Sequence, residues 1–281
     1  MSEAIDAHVH LWDLSRDPQP WIDPESMAAI NRDFAVDDMA SMLDLCAASR
    51  GVVVQASNSR AETHRLLAMR SPRVAGVVGW MNLAGDVSAE LASMPAGYNE
   101  RLVGIRHLAH IDPDPEWLLR GDVGNGLATL GARDLTFDFV VRAWQLGQVE
   151  SVAQRDPGTT FVIDHLGAPP VGTDQMTAWA TSLSRVARHQ NVSVKLSGLP
   201  SAFGADSWGI TTFNEAFDVA LDSFGPDRMM YGSDWPLVEL GGGAERWLEA
   251  VSTLVASLTE SEQASIWHGC ATRQYGLETA S

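Results

Sequence analysis

Short apolar runs rich in β-branched residues alternate along this chain with longer stretches in which apolar residues recur at helical spacing. The runs predict strands near 5–10, 51–56, 76–82, 102–107, 135–139, 160–165, 192–197 and 229–234, with starts about 25 to 45 residues apart. That interval suits one strand and one covering helix per unit. Helices are predicted near 37–49, 60–70, 140–155, 174–190, 211–224 and 244–257. In the first of these, Met39, Met42, Leu43 and Cys46 fall at i, i+3, i+4 and i+7 behind the acidic Asp37 and Asp38. The patterns at 85–94 and 114–120 predict only a short helical turn each. Near-continuous apolar strands such as Gly51-Val52-Val53-Val54 and Phe161-Val162-Ile163 fit a parallel sheet covered by helices. Eight such units predict an α/β fold, a closed (β/α)8 TIM barrel, with a terminal helix after Glu260.

Length and composition agree with one domain spanning 1–281. A chain of 281 residues, 45% hydrophobic and 20% charged, can bury a sizeable core. No linker or charge block divides it, and Pro18 to Pro24 and Gly241-Gly242-Gly243 read as loops. Nineteen basic against thirty-six acidic residues give a net charge of −17, which argues against nucleic acid or an anionic membrane as partner. Small anions are not excluded, because a few residues set the field of a site. The start from Met1 to Asp6 carries no export signal, and no stretch approaches the roughly 18 apolar residues of a bilayer span. Cys46 and Cys270 are too few for a disulfide framework. Reduced, packed cysteines and a cytoplasmic location are expected.

In such a barrel the chemistry sits where the strands end. The first strand closes on His8 and His10, whose spacing puts them on one side. The second ends at Gln55, the third at Trp80 and Asn82, the fourth at Arg106 and His107, and the fifth at Asp138. The sixth ends in Asp164-His165, the seventh offers Lys195, and the eighth ends Ser233-Asp234-Trp235-Pro236. A single histidine at a strand end is more often a satisfied structural residue than a ligand. His8, His10, His165 and Asp234 together are harder to dismiss, since four partly buried polar groups need one another or a ligand to offset desolvation. Asp6 and Asp164 read as supports. Lys195 suits a buried salt bridge or a substrate contact, and the guanidinium of Arg106 suits carboxylate or hydroxyl recognition. Trp12, Trp80 and Trp235 could wall a sugar ring or simply pack loops. His64, His110, His189 and His268 read as structural, while the loops carrying Trp21, Phe203 and Trp208 are expected to set specificity.

Four segments carry a resemblance over essentially the whole chain: Asp6-Ala7-His8-Val9-His10-Leu11-Trp12-Asp13, Phe161-Val162-Ile163-Asp164-His165-Leu166-Gly167, Lys195-Leu196-Ser197-Gly198, and Met230-Tyr231-Gly232-Ser233-Asp234-Trp235-Pro236. In that order they resemble the amidohydrolase superfamily, in the metal-dependent-hydrolase branch that contains sugar lactonases such as L-fuconolactonase and L-rhamnonolactonase. The resemblance implies an amidohydrolase-like barrel with Asp234 as general base and His8, His10 and His165 polarising a carbonyl or holding a metal. Binuclear members also use a carboxylated lysine or glutamate on strand four and a histidine on strand five, where this chain has Arg106 or His107 and then Asp138, so a two-metal site is not expected. One divalent cation, Zn²⁺ by ligand type, fits His8, His10 and Asp234 with or without His165. The branch is similar to this sequence in lacking the full ligand set, so the resemblance also leaves a metal-free site open. Gly269-Cys270-Ala271 stands where such chains often have Gly-Asn-Ala.

The implied reaction is opening of a sugar-derived lactone by water attack, with Gln55, Arg106, His107, Asp138, Lys195, Trp12, Trp80 and Trp235 as candidate substrate contacts. The alternatives within the superfamily are a metal-dependent decarboxylase and a muconolactone or pyrone-dicarboxylate lactonase. The latter needs several cationic contacts, and Arg106 with Lys195 is a modest set. A non-catalytic sugar-binding protein is the alternative of a different class. The oligomeric state is left open, a homodimer being compatible.

Overall fold

The computed structural model describes residues 4–278; Met1, Ser2, Glu3 and 279–281 lie outside the described residues. Eight strands run in the order β1 to β8: Ala4–Val9, Ala48–Val54, Val74–Gly79, Leu102–His107, Thr136–Phe139, Phe161–Ile163, Val192–Leu196 and Met229–Tyr231. Every neighbouring pair is parallel. The helices are α1 Val36–Leu45, α2 Arg60–Ala68, α3 Val87–Ala92, α4 Gly121–Gly131, α5 Leu146–Arg155, α6 Met176–Val186, α7 Asn214–Phe224 and α8 Ala244–Leu254. After α8 come α9 (Glu260–Ala264), a π-helical turn at Ser265–Gly269 and α10 (Cys270–Gln274). Among the described residues no helix is long and apolar enough to cross a membrane.

The sheet closes beyond the end of β8. Val9 bridges Trp235, the His10 N–H donates to the Trp235 carbonyl at 2.7 Å, and the Asp234 N–H donates to the His8 carbonyl at 2.9 Å. Below these contacts the Asp6 carboxylate accepts from the backbone N–H of Ser233 at 2.9 Å and of His8 at 3.1 Å. The seam that closes the barrel is therefore built from the segments that carry His8, His10 and Asp234.

Three expectations are corrected. The helix predicted near 37–49 stops at Leu45, Ala47 turns the chain at φ 50°, and β2 starts at Ala48 rather than Gly51. Local helical periodicity does not reveal where a neighbouring strand recruits residues into its ladder. The third strand ends at Gly79, so Trp80 and Asn82 belong to the loop beyond it. Helix α4 has no counterpart in the predicted set, because four glycines in Gly121–Gly131 lower its helix propensity. Packing explains them. A Cβ on Gly126 would lie 2.3 Å from the Leu83 carbonyl oxygen, so only glycine lets α4 sit this close.

Most of the apolar core lies between sheet and helices. A smaller cluster joins Ile5, Ala7, Val52, Val54, Val78, Val162 and Met230 to Cys270, Ala271, Tyr275 and Leu277 of the terminal segment. That segment covers the end where the strands begin, since Thr136 at the start of β5 donates to the Gln274 carbonyl and Arg50 early in β2 donates to that of Glu278. Both cysteines are buried and free, and burial pushes each thiol up to about 12. The opposite end stays open for a ligand.

Candidate active site

At that open end lies a cavity of about 340 Å³ lined by His10, Arg106, His110, Arg142, His165, Ser201 and Asp234 among polar residues, with Trp21, Ala56, Leu108, Ile111 and Leu237 among the apolar ones. The β2–α2 loop that contributes Ala56 is pinned by a buried carboxylate: Glu62 accepts from the N–H groups of Ala56 and Ser57, both at 2.9 Å. Two of the site residues occupy left-handed backbone just past their strands, His165 at φ 54° and Asp234 at φ 61°. Such conformations cost a non-glycine residue of order 1–3 kcal/mol and persist where surrounding structure holds them. Gly198 shows how tightly His165 is held, since a Cβ there would stand 2.3 Å from the ring Nδ1. His165 Nδ1 also pairs with Ser197 Oγ at 2.9 Å.

The four expected residues converge. His8 Nε2 and His10 Nε2 are 3.1 Å apart, and the Asp234 Oδ1 oxygen is 3.6 Å from the former and 3.4 Å from the latter. His165 Nε2 lies 3.9 Å from the same oxygen. Asp234 Oδ1 is buried and has no hydrogen-bond partner among the described residues. His10 Nδ1 donates to the Val54 carbonyl at 2.7 Å, which leaves its Nε2 lone pair free to face the group. Burial holds the imidazole of His8 well below the usual histidine range, and burial also lowers that of His165. Both are neutral near pH 7.

A divalent cation fits this donor set. Zinc ligands at 2.0–2.1 Å in a tetrahedron stand about 3.3 Å from one another, close to the separations among His8, His10 and Asp234. These three donor atoms all lie within 4.8 Å of each other, and so do those of His8, Asp164 and His165. The orphaned Asp234 oxygen is the atom such an ion would satisfy.

Beneath the cavity lies a buried ionic network. Lys195 Nζ stands 2.6 Å from Asp138 and 2.9 Å from Asp164, all three fully buried. Tyr275 donates to Asp138 at 2.8 Å, and Arg106 donates to Asp164 at 2.9 Å. Burial raises the Asp138 carboxyl to about 6. Burial works the same way on Asp164, but Lys195, His8 and Arg106 outweigh it and hold that carboxyl well below the usual range. His8 Nδ1 meets the network at two points, Lys195 Nζ at 3.1 Å and Asp164 Oδ1 at 3.3 Å. A donating Lys195 leaves the proton on Nε2, whereas donation to Asp164 leaves Nε2 free as a ligand.

This placement revises the expected substrate contacts. Arg106 lines the cavity. Lys195 and Asp138 are sealed within the network and form the salt bridge instead. Gln55 is fully buried and donates to the Arg106 carbonyl at 3.0 Å. His107 stacks on Trp117 at 3.7 Å, contacts Asp112 at 2.7 Å and accepts from Trp80 Nε1 at 3.1 Å, so this group braces a loop. Trp12 donates to the Arg32 carbonyl, and Trp12 and Trp235 pack edge-on against Phe34. None of these lines the cavity. Of the three loop aromatics expected to set specificity, Trp21 lines it, while Trp208 is buried and donates to the Gly241 carbonyl. His110, read from the sequence as structural, and Arg142, not singled out there, both line the cavity. Their signal was position, in the loops directly after β4 and β5.

The chain belongs to the amidohydrolase family, whose model matches residues 5–277. It is 34% identical over 247 residues to an L-fucono-1,5-lactonase of Burkholderia ambifaria, covering 86% of this chain and 83% of that protein. It is 31% identical over 292 residues to the L-fucono-1,5-lactonase of Burkholderia multivorans, covering 97% and 96%. The fold matches a crystal structure of an amidohydrolase from Burkholderia multivorans with bound zinc at a TM-score of 0.91 and 30% identity, over 99% of this chain and all of the other.

Proposed function

We propose that this amidohydrolase is a lactonase that opens a sugar-derived lactone by water attack on its ester carbonyl. The observation that carries the reading is the Asp234 Oδ1 oxygen, buried without a hydrogen bond and facing the Nε2 atoms of His8, His10 and His165. The similar L-fucono-1,5-lactonases support the substrate class, and a 340 Å³ cavity suits a monosaccharide-sized ring.

Asp234 takes a proton from water as the water oxygen bonds to the carbonyl carbon. Without a cation, His8 and His165 donate to the former carbonyl oxygen in the tautomers with the proton on Nε2, because His10 carries its own proton on Nδ1, and a donor already in place needs no reorganisation. The ring C–O bond then breaks, and Asp234 returns its proton to the departing ring oxygen, giving an open-chain hydroxy acid. Trp21 and Leu237 supply apolar walls to the cavity. A divalent cation, Zn²⁺ by ligand type, held by His8, His10 and Asp234 would acidify the attacking water and polarise the carbonyl. The ring alkoxide of an aldonolactone leaves the tetrahedral intermediate more readily than the unprotonated nitrogen of an amide does, so the chemistry asks modest help of either arrangement.

The test is acid release from a panel of aldonolactones, with L-fuconolactone and L-rhamnonolactone at its centre, followed by pH indicator and paired with elemental analysis of the purified protein. Turnover of at least one is expected. A panel without turnover, with protein folded by circular dichroism, removes the reading.

A further inference from the structure

The cavity has a polar patch that the reaction above does not use. The loops after β4 and β5 meet there, joined by the His110 N–H donating to the Val140 carbonyl at 3.2 Å, and both His110 and Arg142 line the cavity. Arg142 has no ion-pair or hydrogen-bond partner for its guanidinium among the described residues. Arg142 is exposed, so its guanidinium is free to turn to a ligand in the cavity it lines. His110 Nδ1 is buried without a partner, so the ring's hydrogen bonding falls to Nε2.

We propose that His110 and Arg142 form a subsite that reads hydroxyl groups of a polyhydroxylated lactone while Asp234 faces its carbonyl. The proposal rests on the lactonase reading and deepens it by assigning the polar far end of the substrate. Arginine only donates, whereas a neutral imidazole nitrogen donates or accepts, and two neighbouring hydroxyls answer both. Burial, with Arg106 and Arg142 nearby, lowers the His110 imidazole to about 4, which keeps it neutral. A carboxylate would only accept, and it would share the cavity with Asp234. Arg106 already answers Asp164, so the unpaired charges at the cavity wall are one cation, Arg142, and one anion, Asp234. That balance suits a neutral, hydroxylated ligand.

The experiment compares kcat/KM for an aldonolactone with that for the unsubstituted six-membered lactone, δ-valerolactone, in wild type, His110→Phe and Arg142→Met. A site built to hydrogen-bond a hydroxyl discriminates strongly against its absence, so the ratio is expected to fall by about tenfold or more in each variant. Arg142→Lys, which keeps the donor, should retain part of the ratio. An unchanged ratio in Arg142→Met overturns the subsite. So does a wild-type preference for acid-bearing lactones that Arg142→Met abolishes. If wild type opens no lactone, the reaction assigned above fails by itself, and the subsite is read from titration of the neutral, unreacted aldonolactone into wild type and Arg142→Met: weaker binding by the variant supports it, equal binding overturns it.

Discussion

Two charged regions lie one above the other at the open end of the barrel, and they are satisfied to different degrees. In the lower one, Lys195, Asp138, Asp164, Arg106 and Tyr275 answer one another at 2.6–2.9 Å, with Asp138 Oδ1 and Arg106 Nε left without a hydrogen-bond partner among the described residues. In the upper one, Asp234 Oδ1 and His110 Nδ1 are buried with no partner among the described residues, and the exposed Arg142 lines the same cavity. A buried polar group without a partner costs free energy that folding does not recover, and in the upper region such groups face a cavity that a ligand can enter. Polar residues alone do not mark a candidate site. Unanswered ones turned toward a cavity do.

The comparison breaks first at Asp234. Asp234→Asn should lower kcat/KM by about a thousandfold or more, by analogy with loss of a general base and its electrostatic help, with no loss of thermal stability. A marked fall in melting temperature would make Asp234 part of the lower network. Lys195→Met should do the reverse in character, since it strands two carboxylates: a loss of about 3–5 kcal/mol in denaturant unfolding is expected. Unchanged stability would show that the network is not held by its ammonium group.

The smallest effect concerns pH. His110 titrates near 4 in the folded chain against 6.5 in its absence, so the unfolded state binds more protons between these values. Its contribution to stability is full above 6.5 and is lost as pH falls through about 4. Asp6 and Asp138, raised by burial to about 6, run the opposite way, favouring the fold below their ordinary range and losing that as pH rises. The effect of His110 is therefore read as a difference: wild type should lose roughly 1–3 kcal/mol more than His110→Gln between pH 7 and 4. Equal losses would remove His110 from the set of buried, unanswered groups.

Much of this was legible in the chain. The periodicity marked eight strands, and His8, His10, His165 and Asp234 were named from strand ends alone. What escaped had specific causes. Helix α4 was hidden because Gly126 answers a backbone from another part of the chain, Leu83, rather than its own helix. Lys195 and Asp138 stood at strand ends like true site residues, and only their separation of 2.6 Å shows that each answers the other. His110 and Arg142 lie beyond the strands in loops without periodicity, where nothing local reports which way a side chain faces.

Alternation of apolar and polar positions acts over a few residues, so the amino-acid order was enough to set the barrel, its eight units and the four groups that converge at its mouth. The partner of each charge was a different matter. Asp164 meets Lys195 and Arg106 across β6, β7 and β4, and Asp6 meets Ser233 from the other end of the chain. Pairing in a low-dielectric interior depends on distances of a few ångströms between strands far apart in sequence, and only closure of the barrel creates those distances.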